Sequence, residues 1–418
     1  MMSEEALPNK NLRIDGTRLW RSLMEMAEIG ATPKGGVCRL ALSDLDKQGR
    51  DLFREWCEAA GCSVTVDPMG NMFARRPGLD PKRAPIQTGS HLDSQPTGGK
   101  FDGAYGVLAG LEVIRTLNDN GIETEAPFEV VVWTNEEGSR FAPAMIGSGV
   151  FSGTFSLEEG HGKQDKDGKT IGGELTRIGY LGTAPLGHPV GAYFEAHIEQ
   201  GPILEADSKQ IGIVSGVQGQ IWYEITLTGQ ESHAGTTPMP VRRDALVGAA
   251  GLIEAVNRIG QAHNPGGCGT VGMLQVHPNS RNVIPGKVFL TVDFRHPSDQ
   301  ALALMDQEIR AESRAIADKH SLDLDLQKIW SFPALEFDRD CVAAVTRATT
   351  QCGYSNRAIV SGAGHDAVYL SKVAPTGMIF IPCADGISHN EIESATPEDA
   401  EAGCNVLLHA MLAMADRD

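Results

Sequence analysis

Apolar positions fall into two rhythms along this chain. Behind Ser43, whose hydroxyl suits a helix N-cap, Leu45, Leu52, Phe53 and Trp56 recur at helical spacing and predict a helix to about Ala60. Short apolar runs at 63–66, 72–74 and 84–87 read as strands, 104–117 as a helix and 128–134 as a buried strand. Alternation of this kind predicts helices packed on a sheet, an α/β layer. Residues 158–190 break the rhythm. Their polar, glycine-rich GHGKQDKDGKTIGGE reads as a surface excursion, with DKDG a solvated turn too short for an EF-hand loop.

From about residue 213 the order changes. Strands at 221–228, 270–276, 287–294 and 322–329 are interleaved with helices at 241–259 and 297–319. The sequence β-α-β-β-α-β is that of the split βαβ, or ferredoxin-like, unit. Helices at 341–351 and 398–414 then flank a buried strand at 378–381. The simplest architecture is a catalytic α/β domain built from 1–212 and 331–418, interrupted by a small inserted domain at 213–330.

Composition narrows the classes of function. The chain has 418 residues, and 36 Lys and Arg against 54 Asp and Glu give a net charge of −18, which disfavours nucleic acid and anionic membrane surfaces as partners. No run of about 18 apolar residues is present, so no membrane span is expected. The polar start MMSEEALPNKNLRIDG has no apolar core of a secretory leader. The 8 cysteines are scattered without a C-x-x-C pair, which reads as reduced thiols and a cytoplasmic protein.

Of the 12 histidines, His161, His188, His263, His277, His320 and His409 read as sitting in polar loops or on helix surfaces. Others occupy denser settings. His91 ends a strand in GSHLDS, where its imidazole can face the cleft at the carboxyl edge of a sheet. Asp93, two residues on, can hold its other ring nitrogen. Asp102 stands before a helix opened by Gly103, placed either to bridge two cations or to act as an ordinary N-cap. Glu136 and Glu137, in TNEEGSRF, end a buried strand. Adjacent carboxylates there repel unless cations neutralise them, the alternative being a solvated acidic turn. His197 ends the strand of EAHIEQGP, and His389 lies in the loop SHNE. Three imidazoles with carboxylates suit Zn²⁺, Mn²⁺ or Co²⁺ better than Mg²⁺ or Ca²⁺.

Taken together, GSHLDSQPTGGKFDGAYGV, TNEEGSRF, EAHIEQGP, SHAGTTPM and SGAGHDA resemble the amidase, hydantoinase/carbamoylase family, over nearly the whole chain. That family belongs to a clan of two-metal aminoacylases and carboxypeptidases. It includes N-carbamoyl-L-amino-acid hydrolases, β-ureidopropionases and allantoate amidohydrolases.

The resemblance implies a two-metal aminopeptidase-like catalytic domain with an inserted ferredoxin-like lid or dimerisation domain. It also implies a homodimer and two divalent ions per subunit, zinc first, with manganese, cobalt or nickel as alternatives. By the same resemblance, His91 and His197 hold one ion, Glu137 and His389 the other, Asp102 bridges them, and Glu136 is the general base. His233 stabilises the developing oxyanion, from its own or the other subunit. Gln200, Asn282, Arg295 and Gly364 contact a small ureido substrate. Arg295 takes its carboxylate, unless it serves a structural salt bridge. His365 and Asp366, beside Gly364, could equally be a structural pair. Trp222 matches an arginine site of the allantoate branch and instead offers an apolar face, unless it points into the core of the inserted domain. The expected reaction is hydrolysis of the ureido C–N bond of N-carbamoyl-L-amino acids to amino acid, CO₂ and ammonia. β-Ureidopropionase and allantoate amidohydrolase activities are the alternatives. A peptidase or aminoacylase of the clan and a non-catalytic binder are more distant rivals.

Overall fold

The computed structural model describes residues 11–415, so most of the polar amino terminus, residues 1–10, lies outside the described residues. Two compact units are present. One is formed by the segments up to Ser215 and from Phe337, the other by Gly216–Glu336. The inserted segment therefore starts later and ends later than 213–330. Its last long strand, Asp323–Phe332, runs past residue 330, and Leu335–Glu336 still pairs with Gly216 and Val217.

The first unit is built on a large mixed sheet. Its centre is four parallel strands in the order Phe128–Trp133, Ile86–His91, Ala192–Ile198 and Thr376–Ile381. Every residue of these four strands is buried, as expected of parallel strands covered on both faces. From Ile86–His91 the chain moves to one neighbour, Phe128–Trp133, and then returns to the other, Ala192–Ile198. This reversal opens a crevice at the carboxyl ends of the strands. His91 and His197 stand on its two sides.

The predicted helix behind Ser43 spans Asp44–Ala59, with the Ser43 hydroxyl accepting from the Asp46 N–H at 3.2 Å. Phe53 and Cys57 face the core, whereas Leu45, expected on that face, is exposed because it lies in the first turn, beyond the packed surface. The helix Ala104–Asp119 is buried almost throughout. It carries Glu112 inside, where Arg18 satisfies it at 2.7 Å.

Residues 158–190 are not a plain excursion. Leu157–Gly162 and Ile171–Ile178 are short helices, the first closed by a capping box between Ser156 and Glu159. Ile171, Leu175 and Ile178 recur at helical spacing and are buried, a signal masked by the surrounding glycines. The DKDG fragment is a turn in which Asp165 accepts from the N–H groups of Asp167 and Lys169 at 3.0 Å each, and Arg140 binds its carboxylate at 3.1 Å. His409 is also inside, against the Leu12 carbonyl at 3.0 Å, and not on a helix surface.

The second unit has a four-stranded antiparallel sheet in the order Asp323–Phe332, Gly219–Thr228, Lys287–His296 and Cys268–His277. The helices Ala245–Ala262 and Asp299–Lys319 follow the first and third strands in the chain, giving the β-α-β-β-α-β order. Ile221, Tyr223, Ile225 and Leu227 point into the helix-covered core, and Trp222 and Glu224 point outward, as period-two alternation requires.

Candidate metal and active site

Four segments at the carboxyl edge of the central strands supply the site. His91 ends Ile86–His91, and its Nδ1 lies 2.8 Å from the backbone carbonyl of Asp93. The Asp93 carboxylate, expected to hold this ring, lies 4.0 Å away and turns elsewhere. It accepts from the N–H groups of Glu136 and Glu137 at 3.2 and 3.3 Å. The strand ends at His91, so the chain bends and the carbonyl, not the carboxylate, reaches the imidazole. Asp93 thereby shapes the turn that presents both glutamates.

His197 is fixed in the same manner. Its Nδ1 lies 2.9 Å from the Ile198 carbonyl, and its Nε2 accepts the N–H of Gly103 at 3.1 Å. Nδ1 therefore carries the proton and Nε2 the lone pair, the tautomer a metal ligand needs. Gly103 itself has φ +66°, and a Cβ there would meet the His91 ring at 2.4 Å. Glycine alone lets the start of the helix approach both imidazoles.

Asp102 sits between the two halves of the cluster. Its Oδ1 faces His91 Nε2 at 3.5 Å and His197 Nε2 at 3.2 Å, and its Oδ2 faces His389 Nε2 at 3.4 Å. Glu137 Oε2 lies 3.5 Å from the same His389 nitrogen. Among the described residues two groups can hold an ion: His91, Asp102 and His197, and Asp102, Glu137 and His389, with Asp102 common to both. Glu136, 3.4 Å from His91 Nε2, belongs to neither group and borders the first.

Electrostatics favour cations here. Burial opposes ionisation of Asp102, yet the His197 and His91 imidazoles beside it hold its carboxyl well below the usual range. Burial and the charges of Asp366, Glu137 and Asp93 push Glu136 well above its ordinary value. Burial and the Asp102 charge push Glu137 up to about 8. Crowded, desolvated carboxylates with oriented imidazoles form a donor set that divalent ions would neutralise.

The structure draws further residues to this cluster. Gln200, expected on substrate, donates to Asp102 Oδ2 at 3.0 Å, and Gln95 donates to Glu137 at 2.7 Å. Glu393 and Ser388 buttress Asp102 from behind. Gln95 and Ser388 lie inside the motifs GSHLDSQPTGGKFDGAYGV and SHNE without being singled out there, and Glu393 lies outside them. His365 and Asp366 do not pair with each other. The His365 ring packs 4.5 Å from that of His197, and Asp366 accepts from Ser148.

Of the other expected substrate residues, Gly364 belongs to the first unit and His233, Asn282, Arg295 and Trp222 to the second. Gly364 is exposed, next to Met145. In the second unit, His233 and Asn282 are neighbours on the ribbon of Ser232–His233 with Val283–Ile284, where the Ala234 N–H donates to the Asn282 carbonyl at 2.9 Å. Gly235 and Thr236 donate to His233 Nδ1 at 3.0 and 3.2 Å. Trp222 is 42% exposed and packs on Trp330 at 5.2 Å, which removes the reading that buries it in the core. Arg295 is on the same open sheet face and pairs with Asp293 at 2.9 Å.

The sequence pattern of Peptidase family M20/M25/M40 matches residues 88–413. The chain belongs to that family. Curated relatives match over nearly the whole chain. The chain is 51% identical to an N-carbamoyl-L-amino-acid amidohydrolase of Rhizobium meliloti, covering 98% of this chain and 99% of the relative. It is 38% identical to an N-carbamoyl-L-amino acid amidohydrolase of Geobacillus stearothermophilus, over 96% and 99%. A crystal structure of an amidase of the hydantoinase/carbamoylase family from Burkholderia multivorans superposes with a TM-score of 0.94 at 65% identity, covering 97% of this chain and 99% of that one. No helix of the described residues of this M20 chain is long and apolar enough to cross a membrane.

Proposed function

We propose that this M20 protein hydrolyses the ureido C–N bond of N-carbamoyl-L-amino acids, releasing amino acid, CO₂ and ammonia. The observation that carries the reading is Asp102 shared between His91 and His197 on one oxygen and His389 on the other, with Glu136 alongside. The activity named for the Rhizobium and Geobacillus relatives supports the substrate class.

His91, His197, Asp102, Glu137 and His389 would hold two divalent ions, zinc first, with manganese, cobalt or nickel as alternatives. Bound there, such ions supply Lewis acidity and lower the pKa of water. Glu136 takes the proton of the attacking water and delivers one to the leaving nitrogen. His233 steadies negative charge on the carbonyl oxygen, Arg295 takes the substrate carboxylate, and Asn282, Gln200 and Gly364 orient the ureido group. The strand order of Gly216–Glu336 suits a ferredoxin-like lid or dimerisation domain, and the family resemblance adds a homodimer. Eight free thiols suit a cytoplasmic setting.

Ammonia release from N-carbamoyl-L-α-amino acids, N-carbamoyl-β-alanine and allantoate tests the assignment. The first class should give the highest kcat/KM and allantoate the lowest, because the Trp222 indole offers an apolar face and a single N–H donor where an arginine fork would grip a second ureido group. Allantoate emerging as the best substrate would overturn the substrate assignment, and no turnover of any of the three by metal-loaded protein would overturn the activity.

A further inference from the structure

Glu393 is a buried carboxylate, 4% exposed, that the proposed chemistry does not use. Its Oε1 accepts the N–H groups of both Phe101 and Asp102 at 3.1 Å. Its Oε2 accepts the hydroxyl of Ser388 at 2.7 Å. Two loops 286 residues apart in the chain therefore meet on one side chain, and each carries a candidate ligand, Asp102 on one and His389, next to Ser388, on the other. The Ser388 Oγ also lies 3.3 Å from Asp102 Oδ2. Room for Glu393 is made by Gly99, where a Cβ would fall 2.0 Å from the Glu393 carboxyl oxygen.

No lysine, arginine or histidine pairs with Glu393 among the described residues. Burying a carboxylate without a counter-charge is unfavourable unless several donors satisfy it. Here the donors are two backbone N–H groups and one hydroxyl, all belonging to the segments that present ligands. An apolar residue could fill the space but could accept none of these bonds.

We propose that Glu393 is a positioning residue that clamps the Asp102 loop to the Ser388–His389 loop, setting the separation at which Asp102 turns one oxygen toward each candidate ion. This rests on the two-ion reading above. Side chains behind metal ligands commonly alter affinity by about 10–100-fold when removed. Glutamine is the informative replacement, since its amide oxygen can still accept both backbone N–H groups while its NH₂ group donates to Ser388.

The test is stepwise Zn²⁺ binding to chelator-stripped full-length protein, read by competition with a chromophoric chelator. Melting of the metal-free protein is followed in parallel. Wild type should bind two equivalents; failure to do so would count against the two-ion reading itself. Given two in wild type, Glu393→Ala should weaken the second by about 10–100-fold, and Glu393→Gln should restore most of that loss. Ser388→Ala, which removes one arm of the clamp and leaves the backbone contacts, should weaken the second ion alone. Wild-type binding by Glu393→Ala would overturn the proposal. So would equal loss in Ala and Gln variants whose metal-free melting falls in step, since that pattern marks a merely structural carboxylate.

Discussion

A Cβ added at Gly103 would meet Cε1, Nε2 and Cδ2 of the His91 imidazole at 2.4–2.5 Å. Because φ there is also +66°, Gly103→Ala combines backbone strain of roughly 1–2 kcal/mol with displacement of a candidate ligand. The variant should fold, by circular dichroism, and lose metal from the His91 and His197 side, by elemental analysis. Full metal content would show that the imidazole can move aside without consequence.

Glu136→Gln should keep its metal content and lose turnover by roughly 10²–10⁴-fold, the usual worth of a general base. Glu137→Ala should instead lose the ion on the His389 side. The reverse pattern in elemental analysis would exchange the roles of the two glutamates.

Asp93→Asn is expected to act through the Glu136–Glu137 turn. The native carboxylate accepts from both N–H groups, at 3.2 and 3.3 Å, one on each oxygen. An amide has one acceptor oxygen, so one buried N–H is left facing an NH₂ group, at a cost of about 1–3 kcal/mol. Both melting temperature and kcat should fall with KM little changed. A variant with unaltered kcat would confine Asp93 to a structural role.

Arg295→Lys should raise KM for carboxylate-bearing substrates by about 10–100-fold, since charge-assisted bonds are worth roughly 1.5–3 kcal/mol and a point charge cannot reproduce the fork. Arg295 already pairs with Asp293 at 2.9 Å. If KM stays put while stability falls, that pair is its whole purpose.

Acid stability should depend on Glu129, on the sheet away from the metal ligands. Burial would raise its pKa, but bonds from His188 at 2.7 Å and Gln87 at 2.8 Å, with Arg75 at 2.7 Å, hold it below the ordinary 4.5. The unfolded chain therefore binds the proton more readily. The stabilisation is fully present above about pH 4.5 and is lost as pH falls through the folded value. Melting temperature against pH should drop less steeply on the acid side in Glu129→Gln than in wild type. Parallel curves would refute this.

Elements were legible where one periodicity ruled a segment. The strand run at 63–66 and the helix behind Ser43 follow from local spacing and a cap. The two short helices after Ser156 were hidden because glycine and charge outnumber their three buried apolar positions. Within the site, His91, Glu136, Glu137 and His197 stood out as metal-ligating types at strand ends, and His389 as one in the loop SHNE. Glu393 did not, because an isolated Glu in a loop looks the same whether it is solvated or buried against another loop.

What the sequence determined by itself is the alternation that makes a central parallel sheet, the β-α-β-β-α-β insert and the residue types at each strand end. These depend on interactions within a few residues. What only the tertiary structure decided is how those ends face one another: Asp102 divided between two groups of ligands, the Asp93 carbonyl rather than its carboxylate on His91, and Glu393 joining loops from opposite ends of the chain. Each depends on contacts between segments brought together only when the apolar strands bury one another. Directional hydrogen bonds then select, among several polar groups within reach, the one whose geometry fits.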